Sequence, residues 1–164
     1  MGVSLSYWSV QKPSSEVIEA IKADAYRVNA TRHWWCERLK FFDWQGYEGY
    51  LAGDTKVIPM AYFGQIEGED NLLMAAREVF FIVGQLKRWW KQYGIDWRLD
   101  CEGQEGFIIG GQLDSGAQQL VADFRAMAEI PDEMSEAEME SKAAQILERH
   151  PSRAGTIVIE FPRT

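Results

Sequence analysis

From Leu72 to Tyr93 the apolar residues Leu72, Ala76, Val79, Val83, Leu86, Trp90 and Tyr93 recur at spacings that alternate between four and three. Side chains so spaced fall on one side of an α-helix. A chain that carries such a stripe must supply a second layer to bury it. Leu73, Phe80 and Phe81 widen the stripe, so the helix, about residues 70–93, is expected to be gripped on more than one side. Asp70 or Asn71 can cap its start, Lys87, Arg88 and Lys91 complement the dipole at its end, and Gly94 followed by Ile95 fits a left-handed C-cap. Its longest apolar run, Val79–Val83, is far below the roughly 18 residues of a membrane span.

The second layer is legible as alternation. Val3, Leu5 and Tyr7 point one way, and Ser4, Ser6 and Trp8 the other, which is the period of a half-buried strand. Ile95, Trp97, Leu99 and Cys101 alternate with Asp96, Arg98, Asp100 and Glu102 in the same manner. A turn over Glu102–Gly106 and a returning strand over Phe107–Leu113 complete a hairpin. Shorter strands are expected at Val57–Phe63, interrupted by Pro59, and at Thr156–Phe161.

Cap residues mark further helices. Ser14 or Ser15 opens one carrying Val17, Ile18, Ile21 and Ala25, and Asp114-Ser115 opens one carrying Ala117, Leu120, Val121, Phe124 and Ala128. The capping box Ser135-x-x-Glu138 opens a third through Met139, Ala143, Ile146 and Leu147, which His150-Pro151 stops. A further helix is expected over Asn29–Phe42, with Trp34, Trp35, Leu39 and Phe42 as its apolar side. The reading that results is α+β: one domain over residues 1–164, a mainly antiparallel sheet of about four or five strands packed against helices, the long helix central.

Charge and aromatic residues are segregated along the chain. Residues 1–98 hold 12 basic and 12 acidic side chains and all seven tryptophans, whereas residues 99–164 hold 5 basic and 13 acidic ones. The net charge of −8 therefore belongs to the last third. Nucleic-acid binders neutralise phosphates with clustered Lys and Arg, so this balance argues against nucleic acid and against anionic membrane surfaces. Basic protein partners are compatible with it.

Two cysteines, Cys36 and Cys101, are too few for a disulfide framework and are expected as buried free thiols. The start lacks the basic and apolar regions of a signal peptide, so a cytoplasmic protein is expected. Gly2 and Ser6 fit the bare myristoylation pattern, but Lys12 is the only basic residue in the first twenty, and one acyl chain without a polybasic patch anchors weakly.

Motifs with chemical content are few. His33 and Cys36 lie three apart beside Glu37, half of a metal site if the segment is helical, but no other ligand stands at a recognised spacing. The glycines of Gly106–Gly116 lie where phosphate loops occur. They lack the Gly-Lys-Ser/Thr and G-x-G-x-x-G patterns, and tight turns with a close sheet–helix approach explain them. Trp34-Trp35 and Trp89-Trp90 are flanked by basic residues. Helical neighbours are about 100° apart, so one ring of each pair is left at the flank of the core stripe.

The segment Asp43-Trp44-Gln45-Gly46-Tyr47-Glu48-Gly49-Tyr50 has the composition of an interface hot spot or cleft lining. Asp43, Trp44, Tyr47 and Tyr50 are its candidate binding residues, and Glu136, Glu138 and Glu140 are those of the acidic end. No nucleophile elbow, metalloprotease, kinase or dinucleotide signature occurs, and no cofactor is implied. The leading expectation is a non-enzymatic protein-binding module (inhibitor, immunity-type or adaptor) using the acidic surface and aromatic anchors. The alternative is a small-molecule binder or enzyme with a cleft around residues 43–50.

Overall fold

The computed structural model describes residues 2–59 and 68–150. The strand expected at Thr156–Phe161 and the far end of that expected at Val57–Phe63 lie outside the described residues. Within them the order is β1 (Gly2–Ser9), α1 (Ser15–Thr31), β2 (Ala52–Pro59), α2 (Gly68–Tyr93), β3 (Trp97–Cys101), β4 (Gln104–Ile109), β5 (Gln112–Leu113), α3 (Ser115–Met127) and α4 (Glu136–Arg149). The strands form one antiparallel sheet in the order β2-β1-β3-β4-β5. This is the α+β architecture expected from the sequence, with the long helix at its centre.

Register follows the alternation of side chains. Tyr7 lies opposite Leu99, and Trp97 opposite Ile108, so the buried faces of β1, β3 and β4 coincide. Leu5, Tyr7, Trp97, Leu99 and Ile108 form one core with Val79, Ile82 and Leu86 of α2, Ile21 of α1, and Leu120 and Phe124 of α3. Helix α4 packs on α2, where Ala143 and Ile146 meet Trp35 and Met74 in a second cluster.

The capped helices form where their caps stand. Ser14 accepts from the Val17 N–H, Asp114 from that of Ala117 and Ser135 from that of Glu138. At the start of α2 the expectation needs correction. The helix begins at Gly68, and Asp70 and Asn71 are buried within it. Asp70 receives Arg149 at 2.8 Å, and Asn71 accepts the Trp35 indole N–H at 3.0 Å, so both hold neighbouring segments. At its other end Gly94, with φ of 71°, donates to the Trp90 carbonyl as a left-handed C-cap requires.

The hairpin is tighter than its sequence suggested. Glu102 and Gly103, both with positive φ, turn β3 directly into β4, and Gly110-Gly111 turn β4 into the short β5. The expected returning strand is thus two strands. A Cβ on Gly106 would lie 2.3 Å from the Ala117 nitrogen, so glycine is required where α3 meets β4.

The helix expected over Asn29–Phe42 does not form past Thr31. Residues 32–42 instead form an irregular segment that bends at Trp35 and Cys36 and then runs beside β2, held by partners far away in sequence. Tyr7 Oη donates to the Lys40 carbonyl and accepts the Lys40 N–H, and Thr55 Oγ1 donates to the Arg38 carbonyl. The Asn29 amide brackets Leu39 through both of its atoms, and Phe41 bridges to Gly53. Burial pushes the Tyr7 phenol above its ordinary pKa. Because the segment is not helical, Trp34 and Trp35 point into different clusters and both are buried.

Candidate functional site

The sheet has a second face. Opposite the core lie Ser4, Ser6 and Trp8 of β1, Arg98 and Asp100 of β3, and Glu105 and Phe107 of β4, all half-buried or exposed. Cross-strand pairing arranges them in rows. One row runs Ala52, Trp8, Arg98, Phe107, and the next runs Asp54, Ser6, Asp100, Glu105. Ser6 donates to Asp54 at 3.3 Å, and Arg98 pairs with Glu105 at 2.6 Å.

Residues 43–50 fold against one end of this face. Two successive turns are closed by Tyr47 N–H to the Trp44 carbonyl and Tyr50 N–H to the Tyr47 carbonyl, each at 3.0 Å. Gly46 and Gly49, with φ of 89° and 82°, occupy the third position of each turn, which favours a residue without a side chain. The three-residue repeat returns Trp44 and Tyr47 to the same side. Both meet Trp8, at centroid distances of 6.0 and 6.3 Å, and Phe42 stacks on Trp44 at 5.7 Å with an interplanar angle of 3°. Each such ring pair contributes about 0.5–1.5 kcal/mol.

Cations cover several of these rings. The Arg98 guanidinium lies 5.1 Å from the Trp8 ring, and Lys12 Nζ lies 5.3 Å from Tyr50. Asp43 and Glu48 stand exposed at the rim. The Gly46 N–H, donated to Glu48, holds that carboxyl below its ordinary pKa. Phe42 and Tyr47 are each 38% exposed, so the cluster presents apolar surface to solvent.

The structure thus gathers Trp44 and Tyr47 and sets Asp43, Glu48 and Tyr50 beside them. Trp8, Phe42 and Arg98 belong to the same patch and were not among the sequence candidates. For Trp8 a signal was present, since it is a large ring on the polar phase of the β1 alternation. Nothing local marks Arg98, whose place depends on the pairing of β3 with β1.

The acidic candidates lie elsewhere, on the helical layer. Glu136 and Glu138 are exposed at the start of α4. Glu140 is tied into a charge network instead. It pairs with Arg77 at 3.0 Å and lies 3.9 Å from Arg32, and both of these guanidiniums hold the buried Glu78, at 2.8 and 3.2 Å. Arg32 also lies against the rings of Phe81 and Trp34. Glu140 therefore serves the fold, whereas its two neighbours project a field.

His33 and Cys36 do not share a helix face, because α1 ends at Thr31 and their segment is not helical. The His33 carbonyl accepts from Arg77 while its ring is on an exposed residue. Beside them, burial pushes the Glu37 carboxyl up, but Lys40 and the Lys56 N–H bond it and hold it below its ordinary pKa. Cys36 is half-buried and Cys101 buried, both as free thiols. Among the described residues, no three His, Cys, Asp or Glu side chains gather closely enough to hold a metal ion.

Fold and site together define an α+β domain with a two-sided sheet, one side core and the other bearing an aromatic patch. No protein-family model, curated protein or solved structure matches this chain.

Proposed function

We propose that this chain is a protein-binding module that docks a basic segment of a partner protein on the aromatic patch of Trp8, Phe42, Trp44 and Tyr47. The observation that carries this reading is the clustering of solvent-facing rings on the side of the sheet opposite the helices. Trp and Tyr dominate the energetics of interfaces when they are grouped and desolvated together. The ring faces here already accept cations from within the chain, and Asp43, Glu48, Asp54 and Asp100 surround them. A partner presenting Lys and Arg would complement both features.

Glu136 and Glu138 contribute to the net charge of −8, which steers a cationic partner without touching it. The reading places the protein in the cytoplasm, consistent with two free thiols, and assigns it no catalysis and no nucleic-acid ligand.

The test replaces Tyr47 with a photo-crosslinking amino acid in cells and compares the captured proteins with those captured from exposed Tyr26 on α1. The expected result is one basic protein specific to position 47, whose capture is lost in a Trp44→Ala background. That substitution should weaken the purified complex about 30-fold, corresponding to a loss of about 2 kcal/mol. The same background set at both positions, or unchanged affinity in Trp44→Ala, would overturn the proposal.

A further inference from the structure

On the helical side, away from the sheet face, α2, α3 and α4 line an open cavity of about 330 Å³. Its walls are apolar, formed by Phe80, Phe81, Val83, Val121, Ile130 and Met139 among others. Four cations stand around it, Arg77, Lys87, Arg88 and Arg125, against two carboxylates, Glu136 and Glu140. The local charge is thus +2 in a chain of net charge −8.

These cations differ in what already satisfies them. Arg77 is committed to Glu78, Glu140 and the His33 carbonyl, and forms wall. Among the described residues, Arg125 lies over the Phe80 ring and donates to the neutral Pro131 carbonyl, and Arg88 donates to the Gln85 amide. Lys87 makes no ion pair among the described residues. Three positive charges without a carboxylate partner among the described residues therefore ring one apolar cavity.

A second observation points the same way. Gly84 lines this cavity from the middle of α2, where glycine weakens a helix relative to alanine. A Cβ built there meets nothing within 4 Å, so no close packing or turn requires the glycine. Its consequence is open space, because any larger residue would project into the cavity.

We infer that this cavity binds a small amphipathic carboxylate, an aliphatic acid whose chain fills the apolar walls and whose head meets Lys87, Arg88 and Arg125. The volume lies at the lower end of ligand pockets, and at roughly 30 Å³ per water-sized group it holds about ten non-hydrogen atoms. An eight-carbon acid has that size.

The test is titration calorimetry of the full chain with octanoate, octan-1-ol and octylammonium. Octanoate should bind one to one, the neutral alcohol at least tenfold more weakly, and the amine not at all. Gly84→Leu, whose four side-chain carbons at roughly 30 Å³ each take up about a third of the cavity and leave too little room for an eight-carbon acid, should weaken octanoate at least tenfold while the protein stays folded by circular dichroism. Lys87→Gln with Arg88→Gln should weaken octanoate at least tenfold and leave octan-1-ol unchanged. No saturable octanoate binding, equal binding of acid and amine, or undiminished binding by Gly84→Leu would overturn the inference. None of these readouts involves the aromatic patch, so either proposal can fail alone.

Discussion

Replacing Arg77 with methionine tests how the buried charges are held. The Arg77 side chain is 6% exposed and that of Glu78 1%, with Nη1 and Oε1 2.8 Å apart. Methionine keeps most of the apolar stem and removes the guanidinium. Among the described residues Glu78 then retains Arg32 alone, at 3.2 Å. Breaking a buried pair on one side costs about 3–5 kcal/mol, chiefly because a charge is left under-compensated.

The lost pair with Glu140 adds little, on the order of 0.5 kcal/mol, because that carboxylate is 41% exposed and water replaces its partner. The expected loss is about 4 kcal/mol, or roughly 8–16 °C in Tm for a domain of this size. Urea unfolding followed by tryptophan fluorescence measures it. Glu78→Gln in the Arg77→Met background should cost about 1–2 kcal/mol more, because it takes the close carboxylate from Arg32, whose side chain is only 10% exposed. Arg77→Met within about 1 kcal/mol of wild type, or a second substitution that restores stability, would refute the argument. Glu138→Lys, on an exposed residue of the same helix, should shift stability by less than about 0.5 kcal/mol, whereas Glu140→Lys should destabilise by placing a third cation beside Arg77 and Arg32.

Two further outcomes follow from close packing and from burial. Gly106→Ala should cost about 1–3 kcal/mol in urea unfolding, since its methyl must displace the α3 backbone at Ala117, and a neutral result would mean the sheet–helix approach is looser than described. Burial raises the Cys101 thiol to about 11, with Glu102 and Asp100 adding to the effect, so it stays protonated below that pH. Iodoacetamide at pH 8 should therefore alkylate half-buried Cys36 well before Cys101, as read by peptide mass spectrometry, and equal rates at the two positions would contradict this.

Helices α1, α3 and α4 and the inward faces of β1 and β3 were legible in the chain because their signals are local. Ser14, Asp114 and Ser135 each bond a backbone N–H three residues on, and period-two or 3.6-residue spacing needs no knowledge of a partner. The pair of glycines at 46 and 49 likewise sets turns from within the loop. What the chain could not disclose rests on contacts across long separations. Residues 32–42 have helical spacing of apolar groups, yet Tyr7 and Thr55 bind their backbone and draw them out along β2. Tertiary hydrogen bonds override a weak local preference there.

The same reason separates the candidates. Asp43, Trp44, Tyr47 and Tyr50 could be named from composition, but the meeting of Trp44 and Tyr47 with Trp8, over which Arg98 lies, exists only because β2 and β3 flank β1. Glu136, Glu138 and Glu140 read alike in sequence, and only the packing of α4 on α2 gives Glu140 a buried arginine for a partner. The sequence determined which segments are amphipathic, because periodicity is a property of neighbours. The tertiary structure decided which rings face solvent, which charges are neutralised and where a cavity opens, because each depends on surfaces brought together from distant parts of the chain.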